Sequence, residues 1–290
     1  MSVFVMKLIA VVSMFIDHLT YVLKLSEYLH YGSLYYAGRA VGRTAFVIYC
    51  FLLVNGFDKT RDRKKYLSRL ILFALISQLP FSLAFTKENY LGESGFLFNF
   101  DAYAILPLLL PLAAYFLYVC DRRADLSLLW LTLLFALSRM QLQIGGLVLC
   151  DTQMNVFCTL AVSMALMMFF EWLFSEKRSW GKGLILAAAL GAELCFLQQD
   201  ADYGLLGVGL IMGLYFCRGK KLPQLAVIAL WSVLEYRFYT PYLIGALAAL
   251  LPIALYNNKL GRKMRTAFYV FYPAHLALLG TVFILFSKAS

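Results

Sequence analysis

Charged residues are scarce in this 290-residue sequence: Asp, Glu, Lys and Arg make up 14% of it, against about a quarter in a typical soluble domain. So few ionised groups cannot cover a water-facing surface on a chain of this length, which excludes an ordinary soluble fold. Polar linkers are missing as well. No stretch is long enough to separate domains, and no internal repeat marks a transporter built from two related halves. The six cysteines, Cys50, Cys120, Cys150, Cys158, Cys195 and Cys217, show no CxxC or metal-ligand spacing. Most lie inside apolar runs, where cysteine packs as a small hydrophobe. The first apolar run has full spanning length and no small-residue cleavage site follows it, so a cleavable signal peptide is not expected.

What fills the chain is apolar: 62% of its residues are hydrophobic and 16% aromatic, and its mean hydropathy is +0.75. Apolar runs of spanning length, divided by polar punctuation, fall near 3–23, 34–57, 66–86, 96–119, 126–149, 155–174, 182–199, 203–217, 222–237, 241–257 and 266–287. The expectation is an all-α polytopic membrane bundle of ten or eleven spans, one domain over 1–290. The segments within 203–257 are short for the hydrocarbon thickness and fit tilted, re-entrant or merged helices. The net charge of +10 would suggest nucleic acid if it were gathered on one surface, but it alternates from turn to turn. Basic residues crowd Asp58 to Lys65, then Arg122 and Arg123, then Lys177, Arg178 and Lys182, then Arg218, Lys220 and Lys221, then Lys259, Arg262, Lys263 and Arg265. The intervening turns and the C-terminus hold only Lys24, Lys87, Arg237 and Lys288. Lys and Arg accumulate on the cytoplasmic side, so this register expects a cytoplasmic N-terminus, with membrane lipid rather than nucleic acid as the surrounding partner.

An ionisable side chain within a span costs about 2.5–3.5 kcal/mol on insertion scales, so each is a functional candidate. They are Lys7, Asp17, His18, Arg39, Arg43, Arg139, Glu171, Glu193 and His275, with Asp200 and Asp202 at an outer helix end. Lys7 and His18 lie eleven steps apart on one helix, roughly 16 Å. In GRAVGR, Arg39 and Arg43 share one helix face at i, i+4, level with Asp17 and His18 if the first two helices pack antiparallel. An Asp17 ion pair with either arginine would simply pin two helices together. Alternatively, His18, which titrates near neutrality, is a general base in a cavity that the arginines keep polar. Asp17 lies about 100° around the helix from His18, so it suits the arginines better than the imidazole. His275 follows Pro273, which should kink the last helix; with Tyr272 it is either a donor to a developing oxyanion or an interhelical hydrogen-bonding group. Asp202 opens DYGLLG as a candidate N-cap. Glu193 and Arg139 have no evident partner but each other.

Five ordered blocks carry a family resemblance: KLIAVVSMFIDHLTYV (Lys7 to Val22), the segment from Gly38 to Phe85 beginning GRAVGR and ending LPFSLAF, NVFCTL (Asn155 to Leu160), ADYGLLGV (Ala201 to Val208) and FYVFYPAHLALL (Phe268 to Leu279). In these the chain resembles the TraX family, named for a membrane protein of conjugative plasmids that acetylates the N-terminus of pilin. Two apparent extra spans near 96–119 and 126–149 depart from the family pattern, as a possible two-helix insertion. Lys7 followed by His18 is also similar to the basic-residue-then-His pattern of membrane acyltransferases that modify cell-envelope sugars. The resemblance implies a multi-pass protein of the bacterial cytoplasmic membrane that transfers an acetyl group from acetyl-CoA to an envelope acceptor: a protein N-terminus, sugar or lipid. It implies His18, Asp17 and His275 as catalytic residues, and Lys7, Arg39, Arg43, Asn155, Asp202, Tyr203 and Tyr272 as binding residues. No metal is implied. Arg61, Arg63 and Lys64 would favour the phosphates of CoA. The competing expectation is a transporter or channel using the same His, Asp and Arg groups as a proton or anion path.

Overall fold

The computed structural model describes residues 1–25, 32–85, 95–101, 136, 140–145, 147–174, 180–181, 183–184, 187–188, 190–191, 194, 201–262 and 264–287. The expected all-α polytopic architecture is present. Among the described residues five helices are long and apolar enough to cross a membrane, with spanning segments Val3–Leu23, Ser33–Lys59, Arg63–Phe85, Val156–Leu173 and Thr266–Leu285. The complete helices are α1 (Val3–Leu25), α2 (Ser33–Lys59), α3 (Arg63–Phe85), α4 (Val156–Leu173), α5 (Gly204–Phe216), α6 (Lys221–Tyr236), α7 (Thr240–Ala248), α8 (Leu250–Ala254) and α9 (Arg265–Ser287). The short segments within 203–257 thus form α5 and α6, while 241–257 divides into α7 and α8.

The outer bounds of the two spans expected near 96–119 and 126–149 need correction. Their described ends are strands: β1 (Phe96–Phe100), β2 (Met140–Ile144) and β3 (Leu147–Cys150), an antiparallel sheet in the order β1-β2-β3. The physical reason is visible at Met140–Ile144, MQLQI, where apolar and polar residues alternate with the strand period of two. Gly145 then takes φ +58, in a Gly-Gly dipeptide of the kind that favours a tight hairpin between β2 and β3. Residues 102–135 between these strands lie outside the described residues, as do Arg139, Glu193 and Asp200.

The chain divides into two compact units. The first comprises Met1–Lys59, Leu83–Tyr90 and Gly209–Ser290; the second comprises Thr60–Ser82 and Leu91–Val208. In the first unit α1 and α2 pack antiparallel, since Gly38 faces Thr20 while Gly42 faces Asp17. A Cβ at Gly42 would lie 2.2 Å from both Cβ and Cγ of Asp17, and one at Gly38 would lie 2.2 Å from the Thr20 hydroxyl oxygen. Glycine at both positions of a small-xxx-small pair is therefore what lets these backbones approach. The helix α7 closes on α2 the same way: a Cβ on Gly245 would lie 1.8 Å from the Ala40 carbonyl oxygen, and the Thr44 hydroxyl donates to the Gly245 carbonyl at 2.7 Å. The helix α9 runs alongside α1 in the same sense. Phe4 meets Phe268, Phe15 meets Phe271, and Val22 packs with Leu279 and Phe283. Proline 273 lies inside α9 without ending it.

In the second unit α3 packs on α4 through buried amides. Asn155, fully buried, caps α4 by accepting from the Phe157 N–H at 3.1 Å, and its Nδ2 donates to the Ala74 carbonyl at 2.8 Å and to Gln78 Oε1 at 2.9 Å. The Gln78 amide donates onward to the Gln153 carbonyl at 2.6 Å. Glu171, one of the costly spanning charges, is ion-paired with Arg63.

Candidate functional site

The first unit gathers most of the residues singled out by sequence. On one face of α1, Asp17 is buried and both its oxygens are engaged by α2. Arg39 Nη1 lies 2.8 Å from Oδ1, and Arg43 Nη2 lies 3.2 Å from Oδ1 and 3.1 Å from Oδ2. Arg43 Nε also donates to the Arg39 carbonyl at 3.2 Å, so the i, i+4 pair is tied to its own helix as well as to Asp17. Each guanidinium lies over an aromatic ring, with Arg39 Cζ 5.0 Å from the centre of Tyr21 and Arg43 Cζ 5.5 Å from the centre of Tyr242. The ion pair expected between α1 and α2 is there, with both arginines rather than one.

One residue on, and about 100° around α1, His18 faces α9 and the last turn of α3. Its Nδ1 lies 2.7 Å from His275 Nε2, with the two rings nearly parallel at 10° and their centroids 5.0 Å apart. The other ring nitrogen of His275, Nδ1, lies 2.8 Å from the Phe271 carbonyl oxygen. A carbonyl only accepts, so His275 carries its proton on Nδ1 and presents a lone pair at Nε2. His18 Nδ1 must then be the donor, which leaves the His18 Nε2 lone pair unengaged among the described residues. Phe85 and Tyr272 close over the imidazole edge-on, with centroids 5.0 and 6.2 Å away, and Phe271 stacks on the far face of His275. Both nitrogens of His275 are occupied, so it has none for the oxyanion role that the sequence left open to it. Its place is behind His18.

The other candidates fall elsewhere. Lys7 sits roughly 16 Å along α1 from His18, with its ammonium 5.3 Å from the centre of the Phe268 ring. Asn155, Asp202 and Tyr203 belong to the second unit. All the polar atoms of the Asn155 side chain serve the α3–α4 junction. The helix α5 begins at Gly204, so Asp202 stands two residues ahead of it rather than capping it directly. Its backbone N–H donates to the Met154 carbonyl at 3.3 Å and its carbonyl accepts from the Thr159 hydroxyl at 2.7 Å. Tyr203 takes φ +62, the left-handed conformation that turns the chain into α5. Among the basic residues proposed for CoA phosphates, Arg63 is taken up by Glu171. The described cysteines Cys50, Cys150, Cys158 and Cys217 are free thiols, and the described residues hold no cluster suited to a metal. The sequence reading missed Gly38, Gly42 and Gly245, although for the first two the small-xxx-small spacing in GRAVGR was there to be seen.

Helices of spanning length with an acid, two arginines and a histidine pair drawn into the interior of one unit define a polytopic membrane protein with a built polar centre. Comparison with known proteins places it further. The family described as TraX protein matches residues 2–150 and 106–283, and the chain belongs to the TraX family. It is also similar to the "Probable fimbrial assembly protein FimC, serogroup H1" of Dichelobacter nodosus, 28% identical over 283 residues, which cover 96% of this chain and 94% of that protein. No solved structure matches.

Proposed function

We propose that this protein is a membrane-embedded acetyltransferase of the bacterial cytoplasmic membrane, with its N-terminus inside. It would move an acetyl group from cytoplasmic acetyl-CoA to an amine or hydroxyl acceptor at the outer face. The first acceptor to test is a fimbrial or pilin subunit, following the name of the FimC relative and the activity for which the family is named. The observation that carries the reading is the hydrogen-bonded series Phe271 carbonyl, His275, His18, which ends in an unengaged His18 Nε2.

A general base needs a lone pair aimed at the acceptor and a partner that holds the correct tautomer. His275 supplies the partner. As the acceptor oxygen or nitrogen attacks the thioester carbonyl, its proton passes to His18 Nε2, and the new imidazolium keeps donating to His275 through Nδ1. Collapse of the tetrahedral intermediate breaks the carbon–sulfur bond. The departing thiolate then takes the proton from Nε2, giving free CoA and the acetylated acceptor.

The test is transfer of label from radiolabelled acetyl-CoA by the purified full-length protein to fimbrial subunits and other envelope acceptors. His18→Ala and His18→Asn are the variants. An asparagine amide retains a donor where Nδ1 stood but offers no base, so both variants should lose transfer, by on the order of 10²–10⁴-fold. Wild-type transfer by His18→Asn would overturn the role of His18. Failure of the wild type to bind acetyl-CoA or transfer label to any acceptor would overturn the enzyme.

A further inference from the structure

Two guanidinium groups share one carboxylate at the α1–α2 contact. Both Asp17 oxygens are engaged, yet the formal charge of the three groups is still +1. The side chains are largely withdrawn from solvent: Asp17 is 10% exposed, Arg39 17% and Arg43 13%. The Nε–H of Arg39 is buried and has no hydrogen-bond partner, in a fold where buried donors are normally satisfied. Tyr21 and Tyr242 lie beside the guanidinium groups, and Arg39 also donates a hydrogen bond to the Tyr242 side chain; a guanidinium hydrogen-bonds in its plane, so the Arg39 Nε–H is the donor left over for an oxyanion. Further tyrosines continue this wall: Tyr242 meets Tyr239 with ring centroids 5.0 Å apart, and Tyr239 meets Tyr36 at 6.2 Å.

We propose that the Asp17, Arg39 and Arg43 nest binds one anionic oxygen group, a carboxylate or a phosphate, carried by the acceptor. The substrate class is then an amine or hydroxyl compound with such a group a few bonds from the reacting atom. The anion site rests on its own geometry; its assignment to the acceptor rests on the acetyl-transfer reading. Asp17 and His18 point about 100° apart on α1, but Tyr21 beneath Arg39 packs on Phe85, which closes over His18, so the nest and the imidazole share one aromatic wall along which a small molecule or chain end can reach both. The CoA phosphates fit less well, because the whole pantetheine arm separates them from the thioester.

The measurement is thermal unfolding of the full-length protein in neutral detergent, titrated with acetate and with inorganic phosphate against chloride at matched ionic strength. Wild type should show saturable stabilisation by at least one of the two. Arg39→Gln leaves Arg43 on both oxygens of Asp17 and should fold; its apparent affinity should fall ten- to a hundredfold, the range of one charged hydrogen bond. Arg39→Lys keeps the charge and should retain the response within a few fold, and His18→Asn should leave it unchanged while abolishing transfer. No response in wild type beyond chloride, or an undiminished response in folded Arg39→Gln, would overturn the site. Nanodiscs of phosphatidylcholine with and without phosphatidylglycerol separate the sources. An equal response in both supports the acceptor, whereas a response abolished by phosphatidylglycerol makes the occupant a lipid headgroup and overturns the assignment to the acceptor.

Discussion

Alanine at Gly42 tests how the polar centre is held. The added Cβ would sit 2.2 Å from Cβ and Cγ of Asp17 and 2.5 Å from its Oδ1. Carbon atoms pack best at about 3.5–4.0 Å, so α1 and α2 would have to part by roughly 1.5 Å, and the atoms displaced are those that Arg39 and Arg43 grip. Overpacking of this kind costs about 1–3 kcal/mol. Alanine's better helix propensity returns up to about 1 kcal/mol, and the loosened ion pairs add to the cost, so a net loss of about 2 kcal/mol is expected. Gly209→Ala is the control. Nothing lies within 4 Å of a Cβ there, so only the propensity gain applies, and stability should rise by about 0.5–1 kcal/mol. Unfolding in detergent, followed by intrinsic fluorescence, should therefore move in opposite directions for the two variants. If Gly42→Ala is as stable as the wild type, or shifts the same way as Gly209→Ala, the close-approach argument is wrong.

The remaining expectations concern separate parts of the chain. Gly245→Ala would drive a Cβ against the Ala40 carbonyl oxygen, 1.8 Å away; backbone yields less than a side chain, so its melting temperature should drop further than that of Gly42→Ala. His275→Leu leaves the His18 Nδ1–H without its acceptor, at a cost of about 1–3 kcal/mol, and should depress both stability and transfer. His275→Gln restores an acceptor and should recover part of each, and a leucine variant with full transfer would refute the positioning role. Asn155→Ala removes an N-cap and two donors to α3, and should destabilise by about 2–3 kcal/mol in the same unfolding assay. The Lys65 N–H donates to Asp62 at 3.0 Å ahead of α3 and holds its carboxyl below the usual range. That stabilisation is present above the unfolded carboxylate pKa and fades as pH falls through the lowered folded value. The difference in melting temperature between wild type and Asp62→Ala should accordingly shrink on acidification.

What the sequence made legible follows from the solvent. A span has to satisfy its backbone internally and be apolar for some twenty residues, so α1, α2, α3, α4 and α9 stand out by length and composition. The expense of a buried charge likewise brought Asp17, His18, Arg39, Arg43 and His275 forward before any geometry was available. The sheet was hidden because β1 to β3 lie within runs as apolar as the helices, and the alternation in MQLQI is short enough to be absorbed by its surroundings. Asn155 entered the candidates through its place in a family block, and nothing in the sequence signalled the burial and three side-chain bonds that make it a junction between α3 and α4. The direction of the histidine series could not be read at all, since it depends on a main-chain carbonyl at Phe271 that no side-chain pattern announces.

That carbonyl has one more consequence. It terminates the series, because a peptide oxygen can hold a hydrogen bond but cannot take up and pass on a proton as an imidazole does. Among the described residues, a proton that arrives on His18 Nε2 finds no onward route through His275 and leaves by the atom through which it entered. The pair is thus a cul-de-sac and not a wire. An appliance of this shape can lend a proton between two reactants that visit in turn, but it cannot carry current from one side of a membrane to the other.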